Sequence, residues 1–445
     1  LMASTVIQRT LGTPTNRKKL TASMWVKKSF IGSEKHFFGM GLSGGYLDFR
    51  FGSSDELELY HYNSGYQFRL TTTRMFRDTN AWYHLVFSID TTLATADDRF
   101  KVYVNGTQET SFVNRTNPSQ DYDLGSNVSG NLISVGNYKN GNNFFDGLIS
   151  HVHFADGYTY DPTPFGETDS TTGEWKIKTN VTGVTYGTNG FWWLKDDIAT
   201  TDHSPNSNTF SVAAGTLTKS EDCPSNIFNT INRLQRTSHG VGTFTNGNTT
   251  GQTNGSSYGY THGTLGASSG KYYFEVKPSA KEGGSDQFII GISSTQATSN
   301  TIYLGQNAKD YGYYCVNGNI YNNANQSVSY GNSYTVNDII GVAMDLDNNR
   351  LFFSKNGTWQ NSGDPTSSTG AITIADPSTT PLGFYFPALT FYSGTFNATF
   401  QCNFGNGYFG TTAVSSAGTN ASNNGIFEYD VPAGYTALST KGLNL

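Results

Sequence analysis

The chain has 445 residues, and only 14% of them are charged, against about 25% in typical soluble domains. Its 50 Gly, 27 Tyr and 30 Phe are typical of a turn-rich β protein and exclude a helical bundle. The length predicts two domains, and the formal net charge of -6 argues against a nucleic-acid surface, which needs clustered Lys and Arg.

The remaining bulk features predict a chain that matures in a reducing cytoplasm without membrane insertion. Cys223, Cys315 and Cys402 are an odd, widely spaced set, so neither a disulfide framework nor a zinc site is indicated. No run approaches the roughly 20 apolar residues of a membrane span. The opening LMASTVIQRT lacks the features of a secretory signal.

Residues 1–160 alternate short strands with turns, as in LTASMWVKKSF, AWYHLVFSID and RFKVYVNGTQETSF. Short strands at this spacing predict a sandwich or barrel. Residues 161–221 are rich in turn formers and read as a connector. Within it, Phe191, Trp192 and Trp193 are too apolar for a free linker, so we expect them to dock on a domain face or a neighbouring subunit.

The second half opens with SNIFNTINRL, residues 225–234, which we interpret as a short helix capped by Ser225. The stretch IIGVAMDLDNNRLFFSKNGTW then predicts a β-meander. A two-residue loop at Asn348-Asn349 would place Asp347 opposite Arg350, so the acidic pair Asp345 and Asp347 serves the turn, in preference to a calcium site or a catalytic pair. Residues 407–445 are expected to form an ordered tail.

Two known families resemble parts of this chain. Residues 222–406 resemble a SPRY domain through SSGKYYFEV, FIIGIS, YGYYCVNGNIYN and DIIGVAMDLDNNRLFFSKNGTW, which stand in the family's order. Residues from about 15 to 160 resemble a laminin-G-like, concanavalin A-type sandwich through LTASMWVK, AWYHLVFSID and RFKVYVNGTQ. The resemblance implies an all-β chain with two antiparallel β-sandwiches, at 1–160 and 222–406.

The sequence offers little for catalysis. Glycosidases of the concanavalin A type usually carry a Glu-x-Asp-x-x-Glu strand, and the nearest match here is Asp55-Glu56-Leu57-Glu58, in which Glu56 and Glu58 share a strand face. A nucleophile elbow, a phosphate loop and a dinucleotide fingerprint are also missing. We therefore expect a protein that is not an enzyme.

Metal binding has two weak candidates. His151 and His153 flank Val152 and would share one face of a strand, but no third ligand is apparent. A laminin-G-like calcium site would use loop carboxylates, for which Asp121 and Asp123 are the candidates. We expect no cofactor other than calcium.

Exposed aromatic residues are the best candidates for a binding surface, because Tyr and Trp bury a large area with few rotors. The alternative is core or rim packing. The candidates occur around one turn of the first domain and in or beside loops of the second: Tyr60, Tyr62 and Tyr66, then Tyr258, Tyr260, Tyr311 and Trp359.

The order of domains, connector and terminal VPAGYTALSTKGLNL is similar to virion proteins of tailed phages. This resemblance implies a virion protein, assembled in the host cytoplasm as a homo-oligomer such as a trimer. It would contact other virion subunits and recognise a host-surface glycan or protein. The alternative is a decoration or cement protein that stabilises the particle, and a weaker one is a glycan-degrading enzyme.

Overall fold

The computed structural model describes residues 5–42, 45–137, 143–196, 198–236, 241–253, 258–281, 287–296, 302–392 and 398–444. The chain divides into two compact units, Leu1–Lys219 and Ser220–Leu445. Helical structure in the described residues is limited to the 3-10 turns Ala96–Asp98, Gln360–Ser362, Pro377–Thr379 and Gly442–Asn444. No helix in this part of the chain is long and apolar enough to cross a membrane.

The first unit contains sixteen described strands. They are β1 Val6–Thr10, β2 Lys19–Lys28, β3 Lys35–Leu42, β4 Gly45–Phe51, β5 Glu56–Tyr62, β6 Tyr66–Met75, β7 Tyr83–Asp90, β8 Phe100–Val104, β9 Thr107–Gln108, β10 Phe112–Thr116, β11 Leu132–Val135, β12 Gly147–Asp156, β13 Gly166–Thr168, β14 Trp175–Ile177, β15 Phe191–Trp193 and β16 Ser211–Ala214.

Two large sheets of the first unit enclose one core. The first sheet has the order β10-β6-β5-β4-β3-β11-β1-β16, and the second has the order β15-β12-β2-β7-β8-β9. Alternate residues of each strand point inward, so Leu59 and Ile133 of the first sheet meet Phe87 and Val102 of the second in one fully buried cluster. This is a β-sandwich.

The expected connector spans residues 161–221, and residues 161–219 of it belong to the first unit. Strand β15 pairs with β12, with Trp193 opposite Val152 and Phe191 opposite Phe154. Strand β16 pairs with β1 at the edge of the first sheet. This segment therefore supplies strands to both sheets of the sandwich.

The second unit contains eighteen described strands. They are β17 Ile231–Arg236, β18 Val241–Thr245, β19 Thr250–Thr253, β20 Tyr258–Gly263, β21 Lys271–Ala280, β22 Gln287–Ser293, β23 Asp310–Tyr314, β24 Asn319–Asn322, β25 Asn325–Ser329, β26 Ile340–Asp345, β27 Arg350–Lys355, β28 Thr358–Trp359, β29 Ile372–Thr373, β30 Phe386–Tyr392, β31 Thr399–Asn403, β32 Tyr408–Phe409, β33 Thr412–Ala413 and β34 Thr436–Ala437.

The second unit is also a sandwich. One sheet has the order β17-β20-β30-β22-β23-β24-β25; the other has the order β18-β19-β31-β21-β26-β27-β28, with β29 and β34 attached. Ile290 and Leu389 of one sheet share a core with Val342 and Phe353 of the other. The predicted all-β fold with two antiparallel sandwiches is confirmed.

The hairpin at Asp345 differs from its prediction in register. Asp345, not Asp347, lies opposite Arg350, and Met344 lies opposite Leu351, so four residues connect β26 to β27. The Asp345 carboxylate accepts hydrogen bonds from Asn348 and pairs with the Lys271 ammonium at 3.2 Å. Asp347 accepts a hydrogen bond from the backbone N–H of Gly270. Both carboxylates thus serve the turn.

The predicted helix over 225–234 is wrong. Residues Ile231–Arg236 form β17, and the backbone before them hydrogen-bonds to the end of the chain, since Asn229 N–H donates to the Leu438 carbonyl and Thr440 N–H to the Ile227 carbonyl. These long-range bonds satisfy the backbone groups that a helix would have paired locally.

Replacing Trp193 tests whether residues 161–219 are an essential part of the first sandwich. Trp193→Ala is expected to lower the free energy of unfolding of the first unit by about 3 to 5 kcal/mol, because it opens a cavity in a closed core. Urea unfolding followed by hydrogen exchange of β2 and β12 peptides measures this. Val212→Ala, at an exposed position of β16, is the control, and equal effects of the two changes would contradict the assignment.

Candidate binding surface on the first sheet

The outer face of the first sheet carries polar and aromatic side chains. In β5, Leu57 and Leu59 point into the core. Because side chains alternate along a strand, Glu58 and Tyr60, which each follow one of these leucines, point outward. Tyr62 at the strand end lies against the same aromatic group, since its ring and that of Tyr60 both contact Tyr66.

Four tyrosine rings are in mutual contact at one end of this face. Tyr46 and Tyr62 are nearly parallel with centroids 5.5 Å apart, whereas Tyr66 stands perpendicular to Tyr62 at 5.6 Å and to Tyr60 at 5.3 Å. Tyr66 is 50% exposed and Tyr62 36% exposed, but Tyr60 is buried. We call Tyr46, Tyr60, Tyr62 and Tyr66 the tyrosine surface. Three of the four were predicted from sequence; Tyr46 was missed.

Alternating charges hold these rings in place. The Glu58 carboxylate binds Arg50, with N–O distances of 2.6 and 2.7 Å, and also Arg69. Arg50 contacts Glu34 as well, at 3.0 Å. The Arg50 guanidinium lies 5.0 Å from the ring centroid of Tyr60, and the Arg69 guanidinium lies 5.0 Å from that of Tyr66. We call Glu34, Arg50, Glu58 and Arg69 the arginine–glutamate ladder.

A second group of buried polar residues braces the same face. His36 Nδ1 lies 2.9 Å from the carboxylate of Asp48, which is fully buried, and His36 Nε2 lies 3.2 Å from Glu34. Burial, followed by the nearby charge of Asp48, raises the pKa of the Tyr60 hydroxyl well above its usual range. Tyr60 therefore remains a neutral ring that supports the exposed tyrosines.

The same geometry bears on the glycosidase alternative. Glu58, which such an enzyme would need as a free acid, base or nucleophile, is engaged by two guanidinium groups. Glu56 accepts a hydrogen bond from the backbone N–H of Ser54 at the start of its own strand. Both carboxylates therefore have partners within the first unit.

The aromatic candidates of the second unit are placed differently. Tyr260 and Tyr311 are buried, and the Tyr311 hydroxyl accepts a hydrogen bond from Ala375 N–H. Trp359 is partly exposed and packs against Tyr273. The side chain of Tyr258 lies outside the described residues. Of the three candidates whose side chains are described, only Trp359 is therefore accessible to a partner.

Phe191, Trp192 and Trp193 are buried within the first unit, and so the idea that they dock on a neighbouring subunit is corrected. Phe191 and Trp193 stack with centroids 3.5 Å apart in the core. Trp192 faces the other way and stacks on the His153 ring at 4.8 Å.

The two histidines beside Val152 belong to a buried aromatic layer on the outer face of the second sheet. A bulge in β12, at which His151 has φ +50°, sets their directions. His151 Nδ1 lies 2.7 Å from Ser150 Oγ, and His153 Nδ1 lies 2.8 Å from the Tyr186 hydroxyl. His84 is stacked between Trp25 and Trp175 at 4.8 and 5.9 Å. We call His84, His151 and His153 the histidine layer.

No group of three or more His, Cys, Asp and Glu side chains is arranged to hold a metal ion in the described ranges. Of the calcium candidates, Asp121 is exposed and forms an ion pair with Lys18 at 3.0 Å, while Asp123 is exposed. Calcium binding stays a prediction.

Comparison with known proteins bears on both units. Residues 5–162 match the family described as the concanavalin A-like lectin/glucanases superfamily, and residues 271–407 match the SPRY domain family. The chain has an N-terminal concanavalin A-like domain and a C-terminal SPRY domain. Both predicted domain types are confirmed.

Three similar proteins illustrate the extent of the likeness. Ran-binding protein 9 of Homo sapiens is 36% identical over 92 residues, which are 20% of this chain and 12% of that protein. The Ran-binding proteins 9/10 homolog of Drosophila melanogaster is 34% identical over 91 residues, 20% of this chain and 9% of the relative. The SPRY domain of human HERC1 shares 17% identity, covering 39% of this chain and 96% of that domain, with a TM-score of 0.30.

These relatives correct the functional prediction. The two sequence relatives are named as Ran-binding proteins and come from animals, so the prediction of a tailed-phage virion protein that recognises a host surface is wrong, and the virion localisation is wrong with it. The decoration or cement alternative gains no support from them either. The predicted homo-oligomer stays a prediction.

Charge removal at Glu58 tests the ladder. Glu58→Gln is expected to lower the free energy of unfolding of the first unit by about 2 to 4 kcal/mol, because two partly buried guanidinium groups lose their shared counter-charge. Urea unfolding measures the effect. Glu56→Gln, on the same strand, is the control and should change stability by less than about 0.5 kcal/mol. Similar effects at both positions would show that the ladder is not a supporting element.

Acid should destabilise the first unit through the histidine layer. Burial lowers the pKa of His84 to about 3 and that of His151 to about 4, and it lowers the pKa of His153 well below its usual value. Since these folded pKa values lie below 6.5, protons bind preferentially to the unfolded chain. Stability is therefore present above pH 6.5 and falls below it, by up to about 1.4 kcal/mol per pH unit for each histidine.

The contribution of one imidazole can be isolated with His84→Gln. The free energy of unfolding of this variant is measured by urea between pH 7 and pH 5. It is expected to fall less steeply than that of the wild type, and the difference between the two slopes is the contribution of His84. Identical slopes for the two proteins would exclude His84 as a source of the acid sensitivity.

Proposed function

We propose that the protein is a non-catalytic interaction protein that binds a partner protein through the tyrosine surface. The observation that carries this proposal is the exposure of Tyr62 and Tyr66 on a rigid support. Tyrosine and arginine dominate the binding energy of many protein interfaces, because they combine a large apolar area with polar atoms at the tip.

Rigidity favours binding at this place. Each exposed ring already packs against another ring, and Arg69 lies against Tyr66. A partner would therefore lose little free energy to the ordering of these side chains. Glu58 and Glu34 together balance the charges of Arg50 and Arg69, so covering this surface does not bury a lone charge.

The comparisons support a protein as the class of partner. A SPRY domain is present, and the animal relatives are named for binding the protein Ran. The alignments cover 9% and 12% of the two relatives described above, so this support extends to the class of partner and not to Ran itself. The absence of catalysis is part of the proposal; its support is the engagement of Glu58 by two arginines.

A double substitution tests the proposal. Tyr62→Ala/Tyr66→Ala is expected to weaken binding of the partner about 30-fold, since each alanine at a binding hot spot costs at least about 1 kcal/mol. Cross-linking and quantitative affinity enrichment from the expressing cells would identify the partner, and calorimetry with the purified pair would measure the dissociation constant.

The matched control is Tyr158→Ala, which removes a tyrosine that is 37% exposed outside the tyrosine surface. Wild type and control should bind the partner equally well, and urea unfolding should show that the double variant is folded. If every partner of the wild type binds the double variant with unchanged affinity, the tyrosine surface is not the binding site.

A further inference from the structure

The C-terminal part of the second unit covers the outer face of one of its sheets. Residues 426–437 contribute Phe427, Tyr435 and Ala437 to a buried cluster with Tyr273 and Phe352 of that sheet. Strand β34 within this segment pairs in parallel with the start of β21. We call residues 426–437 the strap.

A buried carboxylate lies beneath the strap. Glu275 on β21 is fully buried, and its oxygens accept hydrogen bonds from the backbone N–H groups of Glu428 and Tyr429, both at 2.9 Å. Two further donors come from the sheet, the Tyr273 hydroxyl and the Asn403 amide, each at 3.1 Å. Glu275 is therefore a direct hydrogen-bonded anchor of the strap.

The anchor has no counter-charge among the described residues. Its four donors are neutral, and no described lysine, arginine or histidine forms an ion pair with it. The titratable residues beside it are Tyr273 on its own strand and Glu428 and Tyr429 on the strap. The residues opposite it on the two neighbouring strands, Gly341 of β26 and Asn403 of β31, do not titrate. The Glu428 side chain is engaged elsewhere, with Ser415.

We propose that Glu275 makes the strap a pH-sensitive closure, which is held most firmly while this carboxyl group is protonated and is released more readily once it is ionised. An ionised carboxylate without a counter-charge is costly to bury. The Tyr273 hydroxyl can accept as well as donate, so its contact survives protonation of Glu275.

The direction of the effect follows from linkage. Burial raises the pKa of Glu275 from 4.5 to about 7, against the opposing effect of its hydrogen-bond donors. When the strap opens, the carboxyl group meets water and its pKa returns toward 4.5, so the closed state binds the proton more tightly. Closure is therefore fully favoured below pH 4.5 and weakens as pH rises through 7.

Hydrogen exchange of the full chain tests the closure. Protection of the strap amides at Glu428 and Tyr429, corrected for intrinsic exchange rates, is expected to fall about tenfold between pH 6 and pH 8 in the wild type. In Glu275→Gln the side chain carries no charge at any pH, so protection should not change with pH. Its level is expected to be lower throughout, because the new NH2 group faces a backbone N–H.

Asp345→Asn is the matched control, since Asp345 is a buried carboxylate of the neighbouring strand that already has Lys271 as counter-charge. This variant should retain the tenfold change. Constant protection in the wild type, or an equal pH dependence in Glu275→Gln, would overturn the proposal. Amides of β26 in the wild type provide a reference that needs no variant and should show no such change.

Discussion

A β-sheet that buries one face against its partner sheet leaves its other face to be covered by the chain itself or exposed to a partner. This constraint explains where the two units can bind other molecules. The second sheet of the first unit places the histidine layer on its outer face, and Trp175 and Trp192 cover it. In the second unit the strap covers the sheet that contains Glu275. In both places the chain itself occupies a surface that would otherwise be available to a partner.

The tyrosine surface is the other solution to the same constraint. Tyr62 and Tyr66 stay exposed, whereas Tyr60 is buried, and the arginine–glutamate ladder contacts the group through Arg50 over the Tyr60 ring and Arg69 over the Tyr66 ring. Each guanidinium lies against one ring, and the two carboxylates of the ladder, Glu34 and Glu58, balance the two guanidinium charges. Such an arrangement keeps apolar area exposed without leaving an isolated charge beside it, which is the combination that protein association favours.

Sequence reasoning succeeded where the determinant was local and failed where it was remote. Alternating apolar residues predict the strands of both sandwiches, since the period of two is a property of the strand itself. The predicted hairpin register was wrong because Asp345 forms an ion pair with Lys271, a residue of another strand that lies 74 positions earlier in the chain. The helix predicted at 225–234 was wrong because backbone groups of Ile227 and Asn229 form hydrogen bonds with residues 440 and 438 near the end of the chain.

The candidate site shows the same limit. Tyr60, Tyr62 and Tyr66 lie close together in sequence, so the pattern could point to them, but it could not show that Tyr60 is buried beneath the others. Tyr46 was missed because it joins the group by pairing of β4 with β5, opposite Tyr62. Cross-strand neighbours of this kind carry no sequence signal until the register is known.

Burial without a counter-charge gives the two units opposite responses to pH. Burial favours the neutral form of an imidazole, so the histidine layer contributes its full stability above pH 6.5 and less in acid. A carboxyl group also favours its neutral form when buried, but for Glu275 that form is the protonated one. Acid therefore works against the first unit and base against the strap of the second. In the folded chain, His84 and His151 become charged only as pH falls through their pKa values of about 3 and 4, and Glu275 only as pH rises through about 7, so none of these buried groups carries its charge between those limits.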